Sequence, residues 1–267
     1  MNSGKRKRSL LWKIQPPGLE KPSYLFGTMH VKDQRAFHFQ EEVYRCIDEC
    51  DAFALEFDLK EANASATAEA MDLASGQKLS TLLSERHFAK LQKLFAKLTG
   101  MDLMLFDSSQ PLLVTNLLTE SILSKDRAVV LDHQLWQYAT EQEKLTLGIE
   151  SFEEQLAILG QIPLEIQLKS LISVAKNFKK FRKHILKMTA LYEEGDIHKL
   201  HKSSRKSLKG LRKLMLYDRN ERMAERIYRL ASEQSVCAAI GAGHLGGKKG
   251  VVKLLKAQGC KLKPIHK

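Results

Sequence analysis

The sequence predicts an α/β protein in which a central sheet is formed by N- and C-terminal segments, with a large helical insertion or cap between them. Three observations support this fold class. Strand-like segments lie at both ends of the 267-residue chain, leucines recur at helical spacing in its middle, and two apolar segments near opposite ends close on Gly-x-x-His. We expect a basic tail over residues 1–10 and a single domain over 11–265, with the helical insertion at roughly 61–235.

The N-terminal part of the chain supplies the first predicted strands. "LLWKI" is one strand, "PPGLEKPS" is a turn-rich connection, and "YLFGTMH" (24–30) is a second strand that ends near a glycine. Residues 40–50 form a short helix, and "DAFALEFDL" (51–59) is a third strand with alternating side chains. In that alternation Glu56 lies on the polar face.

The middle of the chain is predicted to be mainly helical. "LSTLLSERHFAKLQKLFAKL" is a helix with Ser80 as N-cap and Gly100 as its stop. Further helices follow in "QPLLVTNLLTESIL" and, after Asp132, in "LDHQLWQYATEQE". "KLTLGIES" is a short strand, and "SFEEQLAILGQI" opens a helix with Ser151 and Glu154 in capping-box spacing.

The last hundred residues combine long helices with a closing strand pair. Residues 163–235 are almost wholly helical. "CAAIGAGHLGGKKGVVKLLKAQGCKLKPI" then gives a strand, a glycine-rich turn, a helix, Gly259 and a final strand. We expect residues 24–30 and 236–243 to be strands of one sheet.

The net charge of +12 is concentrated in residues 176–213, which hold thirteen Lys or Arg and three acidic residues. Such a segment could attract nucleic acid or an anionic surface. However, it contains few aromatic residues and no nucleic-acid-binding module, so the simpler interpretation is a set of exposed helix faces. We do not expect nucleic acid as a partner.

Hydropathy and cysteine content predict a cytoplasmic protein. No run of 18 apolar residues is present, so we expect no membrane span. The basic N-terminus resembles the start of a signal peptide, but its short apolar part is broken by Lys13 and then by Pro16 and Pro17. The four cysteines form no CxxC pair and are predicted to be reduced and structural.

The paired Gly-x-x-His segments predict a shared site. His30 and His244 each follow an apolar run and a glycine that permits a tight turn or a close backbone approach. A single histidine in this context is more often structural, but two in matching contexts can bind a metal or move a proton.

Carboxylates and a polar helix segment complete the candidate site. Glu56 and Glu150 are the candidate carboxylates, with the alternatives that Glu56 faces solvent and that Glu150 only precedes a helix. In "YDRNERMAERI", Arg219 could stabilise an oxyanion and Asn220 could orient a ligand, while an ordinary solvated helix face is the alternative.

These segments together resemble the TraB/GumN family, which includes pheromone-shutdown proteins, GumN-like proteins and Tiki proteases. The resemblance rests on "SYLFGTMHVKD", "ALEFDL", "LDHQL", "LGIESFEEQL", "YDRNERMAERI" and "AIGAGHLGGKKG", in the family's order from about residue 11 to 265. Ile149 and Ser151 replace a frequent leucine and threonine beside Glu150. The resemblance implies site residues at the same six positions: His30, Glu56, Glu150, Arg219, Asn220 and His244.

The leading functional hypothesis is a metal-dependent, peptidase-like hydrolase that acts on a peptide or small molecule. Two imidazoles and two carboxylates, from His30, His244, Glu56 and Glu150, suit Mn²⁺, Co²⁺ or Zn²⁺ with an open position for water. A metal-free hydrolase with histidine as general base is a variant. The alternative from another class is a protein that sequesters a peptide or signal without cleaving it.

Overall fold

A computed structural model of the protein describes residues 9–18, 20–74, 76–208 and 210–267. It contains a six-stranded sheet with the strand order β4-β3-β5-β2-β1-β6. The strands are β1 (Leu11–Gln15), β2 (Ser23–Thr28), β3 (Ala52–Phe57), β4 (Leu145–Glu150), β5 (Val236–Gly241) and β6 (Lys261–Ile265). The predicted α/β fold class is confirmed, and one edge strand, β4, comes from the middle of the chain.

The pairing directions bring four strand ends to one edge of the sheet. β5 is parallel to both β2 and β3, and β3 is parallel to β4, whereas β1 pairs antiparallel with β2 and β6. The carboxyl ends of β2, β3, β4 and β5 therefore lie along the same edge. That edge is where ligand sites form in α/β proteins.

The inner strands are buried because their sequences are apolar or small at nearly every position. All six residues of β2 are buried, and so are the first five of β5. A strand buried at successive positions is covered on both faces, since alternate side chains point to opposite faces. The prediction that residues 24–30 and 236–243 contribute strands to one sheet is confirmed.

The helices of the described residues fall in both halves of the chain. They are α1 (Gln40–Asp48), α2 (Ala64–Ala70), α3 (Leu79–Leu82), α4 (Glu85–Thr99), α5 (Pro111–Glu120), α6 (Leu131–Glu141), α7 (Phe152–Gly160), α8 (Leu164–Lys176), α9 (Phe178–Glu193), α10 (Ile197–Ser207), α11 (Asp218–Glu233) and α12 (Val251–Ala257). Two compact units result. The sheet unit comprises residues 1–61, 125–155 and 188–267, and the helical unit comprises 62–124 and 156–187.

The helical unit has an apolar core of its own. α4, α5 and α8 contact one another within it. Fully buried core side chains come from these three helices, from α3 and from the 3-10 turn Leu103–Phe106: Leu79, Leu91, Phe95, Leu103, Val114, Leu118 and Leu171. Phe178 and Phe181, from the start of the basic segment, are partly buried and pack against this core.

Local capping signals were mostly predicted well. Ser151 and Glu154 form the predicted capping box, because each backbone N–H donates to the other's side chain, at 2.8 and 3.1 Å. Gly100 ends α4 in the left-handed conformation, as predicted. The prediction of Ser80 as the N-cap of that helix was wrong, because Ser84 caps α4. Ser80 lies in α3, where both its backbone N–H and its hydroxyl donate to Asp107.

The predicted N-terminal tail (1–10) lies largely outside the described residues, and the predicted helical insertion (61–235) is divided between the two units. Residues 1–8 of the tail lie outside the described residues, and Leu10 is fully buried. The helices of the range 61–235 are shared between the two units. Within the described residues, no helix combines the length and apolarity needed to cross a membrane.

Candidate functional site at the sheet edge

The two Gly-x-x-His segments end adjacent parallel strands. The last registered pair of β2 and β5 is Thr28 with Gly241, and His30 and His244 follow two and three residues later. Gly27 permits close packing: a Cβ at this position would lie 2.5 Å from Leu245 Cδ1 and 3.1 Å from Cα of Ala242. The repeated motif thus lets the turn after β5 pack against β2 while each strand delivers a histidine to the same edge.

His244 is held in one orientation and one tautomer. It ends the 3-10 turn Ala242–His244 and is buried. Its Nδ1 lies 2.6 Å from Oδ1 of Asn220, whose Nδ2 donates to the carbonyl of Lys249 at 2.6 Å. Because that second bond fixes the amide oxygen toward the ring, Nδ1 carries the proton and Nε2 has the free lone pair.

The electrostatic surroundings keep His244 neutral. Burial, and then the positive charge of Arg219, lower the pKa of His244 to about 3. A neutral imidazole with its Nδ1–H bound to a protein acceptor has the form that metal-ligating histidines take.

Glu56 faces His244 across a short gap. It lies next to the end of β3, and its Oε1 accepts the backbone N–H of Gly241 at 3.2 Å. The same oxygen is 3.6 Å from Nε2 of His244 and 3.6 Å from Nη2 of Arg219. Oε1 of Glu56 and the unprotonated Nε2 of His244 therefore face each other at 3.6 Å.

Glu150 is bound by arginine. It ends β4, its side chain is completely buried, and Arg219 donates to it from Nε at 3.0 Å and from Nη2 at 2.5 Å. Arg222 adds a second guanidinium at 3.6 Å. Burial alone would lower the pKa of Arg219, but the hydrogen bonds to Glu150 and the charge of Glu56 outweigh it and raise that pKa.

The sequence of α11 explains why Arg219 points inward. Arg219, Met223, Ile227 and Ala231 recur every four residues, and all are buried. Four-residue spacing places side chains on one helix face, so the guanidinium occupies the first turn of the core-facing stripe. A π-helical turn over Lys213–Tyr217 leads directly into this end of the helix.

His30 has a different partner. Its side chain is 66% exposed, and its Nδ1 lies 3.3 Å from Oδ2 of Asp132. Asp132 is buried in the first turn of α6 and also accepts the hydroxyl of Thr28 at 2.8 Å. The sheet edge therefore carries two histidine–carboxylate pairs, His244 with Glu56 and His30 with Asp132.

A pocket of about 300 Å³ opens beside the first pair. We call it the sheet-edge pocket. Its polar lining includes Thr28, Glu56, Ser204, Arg219 and His244, and its apolar lining includes Met188, Leu200, Leu208, Met215 and Leu216. Among the described residues of the basic segment, no lysine belongs to the lining.

Comparison with known proteins identifies the family. The model of the TraB/PrgY/gumN family matches residues 10–264. The chain belongs to the TraB/PrgY/gumN family. The resemblance inferred from the sequence motifs is thereby confirmed.

Curated relatives of this TraB-family chain carry the name metalloprotease. The chain is 28% identical to Metalloprotease TIKI2 of Danio rerio, over 96% of this chain and 61% of the relative. It is 24% identical to Metalloprotease TIKI1 of Danio rerio, over 97% of this chain and 65% of the relative. It is also 24% identical to Metalloprotease TIKI2 of Xenopus tropicalis, over 94% of this chain and 58% of the relative. The chain thus spans about three fifths of the length of these relatives. No solved structure matches it.

The predicted site residues of this TraB-family chain are only partly brought together. Glu56, Glu150, Arg219, Asn220 and His244 form one connected network. Within the part of the chain that the structure describes, no group of three or more His, Cys, Asp or Glu side chains is arranged so that it could hold a metal ion. The physical reason is that His30 turns to Asp132 and Glu150 to Arg219, so metal ligation by all four predicted residues stays a prediction.

Asp132 was missed as a site residue. The sequence treated it only as the start of a helix, although it stands in the "LDHQL" segment that supported the family resemblance. Its signal was an acidic residue immediately before a histidine at a helix start. That signal is weak, because acidic residues are common in first helical turns for their favourable interaction with the helix dipole.

Proposed function

We propose that this protein is a metal-dependent hydrolase that cleaves peptide bonds, with its active site in the sheet-edge pocket. The observation that carries the proposal is the approach of His244 Nε2 to Glu56 Oε1, at 3.6 Å. Both atoms can donate a lone pair, so a cation between them would be bound by both. The names of the relatives support a metalloprotease-like activity.

The donor chemistry fits a divalent metal. A neutral imidazole and a carboxylate suit Mn²⁺, Co²⁺ or Zn²⁺, and Asn220 supplies the outer hydrogen bond that orients such an imidazole. We assign Nε2 of His244 and the carboxylate of Glu56 as ligands, and His30 as a further ligand because its exposed ring follows the neighbouring strand. An ion held by these residues would supply a water of lowered pKa and a Lewis acid for the scissile carbonyl.

We assign Arg219 to stabilise the developing charge on the substrate and Glu150 to position Arg219. Arg219 lines the pocket and carries a fixed positive charge, which suits it to bind the carbonyl oxygen of a peptide as negative charge develops there. Glu150 holds Arg219 in place through its buried carboxylate. We therefore propose Glu150 as a positioning residue, although the sequence predicted it as a metal ligand. The apolar lining accommodates an uncharged peptide side chain.

The proposal is tested by incubating chelator-stripped protein with a peptide library, with and without added Mn²⁺, Co²⁺ or Zn²⁺. Mass spectrometry should find cleaved peptides only when metal is added, and His244→Gln should abolish cleavage. The exposed His266 provides a matched control, since His266→Gln should leave cleavage unchanged. Full activity after exhaustive chelation would overturn the metal requirement. Binding of intact peptides without cleavage would favour the sequestering alternative.

A further inference from the structure

We propose that a second cavity in the sheet unit binds a small amphipathic anion, a molecule with an apolar body and a phosphate, sulfate or carboxylate head group. This cavity has a volume of about 410 Å³, a size typical of small-ligand sites. It shares no lining residue with the sheet-edge pocket. The inference is independent of the proposed hydrolase activity. We call this space the lysine cavity.

One side of the lysine cavity is apolar and rigid. Trp12 of β1, Leu245 after the 3-10 turn Ala242–His244 and Val252 of α12 line it, and all three are buried. The indole N–H of Trp12 already donates to the carbonyl of Ser9 at 2.8 Å. Because its polar atom is satisfied within the protein, the ring contributes only apolar atoms to this wall.

The other side is cationic. Lys248, Lys253 and Lys256 are exposed members of the lining, which contains no Asp or Glu. Lys256 Nζ lies 5.4 Å from the centroid of the Trp12 ring, so one ammonium group is held over the apolar wall. This juxtaposition of charge and apolar surface matches a ligand that has both.

These ammonium groups are available to a ligand. Within the described residues, no carboxylate forms an ion pair with Lys248, Lys253 or Lys256, whereas the adjacent Lys249 is 3.3 Å from Glu221. Several unpaired lysines around one cavity create a local positive potential that attracts anions. Lysine binds phosphate and similar groups as a point charge.

The backbone wall between the two sides is fixed in advance. Gly247 adopts a φ of +94°, and a Cβ there would lie 2.3 Å from Nε2 of His201. The loop that carries Lys248 is therefore packed closely against α10, at a position where any residue other than glycine would be strained. A preformed wall reduces the entropy that a ligand must overcome on binding.

The test uses isothermal titration calorimetry with three probes on the full chain. Octyl phosphate combines both features, inorganic phosphate has only the anion, and octyl glucoside has only the apolar body. We expect octyl phosphate to bind at least about tenfold more tightly than either of the others. Equal affinity for octyl glucoside, or no binding of octyl phosphate, would overturn the proposal.

Charge variants locate the binding. Lys253→Met combined with Lys256→Met should weaken octyl phosphate binding by about tenfold or more. The control pair, Lys261→Met with Lys263→Met, removes the same charge from exposed positions of β6 outside the lining and should change affinity by less than about twofold. Equal weakening by both pairs would reduce the effect to non-specific attraction and refute the site.

A vesicle experiment distinguishes the source of the head group. If the chain also sediments with phosphatidylcholine vesicles that contain phosphatidic acid, and the cavity variants abolish this, a membrane lipid supplies the anion. If octyl phosphate binds while vesicles do not, the ligand is a free amphiphile. Vesicle binding that survives the cavity variants, together with unchanged octyl phosphate affinity, would contradict the assignment.

Discussion

Replacing Glu150 with Gln tests whether this residue anchors Arg219. The Glu150 side chain is completely buried and accepts hydrogen bonds from Nε and Nη2 of Arg219. Removing one partner of a buried ion pair costs about 3–5 kcal/mol, because the other charge stays buried. We expect the lower end, about 3 kcal/mol, since Glu56 lies 3.6 Å from Nη2 and still compensates part of the charge.

The assay is urea unfolding followed by circular dichroism, with Glu153→Gln as the control because that neighbouring carboxylate is exposed. A double-mutant cycle that combines Glu150→Gln with Arg219→Met should reveal strong coupling between the two residues, since the double variant removes both charges of the ion pair. A cost for Glu150→Gln below about 0.5 kcal/mol, the range of ordinary surface substitutions, would refute the anchoring role. If Glu150 were instead a metal ligand at the edge of a cleft, Glu150→Gln would change the unfolding free energy by that small amount and would lose metal affinity.

Three further predictions follow from the same contacts. Asn220→Ala removes the acceptor of His244 Nδ1 and should lower the affinity for Mn²⁺ about 10–100-fold in calorimetric titration, whereas Asn220→Asp, which keeps an acceptor oxygen, should lose less. The hydrogen bonds from Arg226 lower the pKa of Glu154 to about 2, from 4.5. The stabilising contribution of Glu154 is thus present above about pH 4.5 and is lost as the pH falls toward 2. The difference in unfolding free energy between wild type and Glu154→Gln should therefore shrink from pH 7 to pH 3. A difference that stays constant over this range would contradict the prediction. Burial raises the pKa of Cys46 and of Cys50 to about 12, and all four cysteines are buried and free. A thiol reagent should therefore react slowly with the native protein, whereas after unfolding it should rapidly modify four thiols.

Much of the fold was predictable because its signals are local. The strands before His30 and His244 are apolar runs closed by glycine, and the capping box of α7 lies within four residues, Ser151 to Glu154. The N-cap of α4 was missed because two serines compete within a short distance. Asp107, distant in sequence, binds Ser80 and leaves Ser84 to start the helix.

The partners within the site could not be predicted, because they depend on contacts between distant segments. Glu150 meets Arg219 across 69 residues of chain, and Asp132 meets Thr28 across 104. Sequence reasoning located the acidic residues at strand ends but gave no means to decide which carboxylate faces an arginine and which faces a histidine. That choice decides their chemistry, since Glu150 accepts three hydrogen bonds from the Arg219 guanidinium, whereas Glu56 faces the unprotonated nitrogen of His244.

The most direct test of the proposed active site is metal-dependent peptide cleavage by Glu56→Gln. Glutamine has the same size and retains an oxygen for the Gly241 N–H, so folding stability should change by less than about 1 kcal/mol while cleavage falls at least about 100-fold. Glu233→Gln, an exposed carboxylate at the far end of α11, should cleave at the wild-type rate. Undiminished cleavage by Glu56→Gln would contradict the assignment of the sheet-edge pocket as the active site.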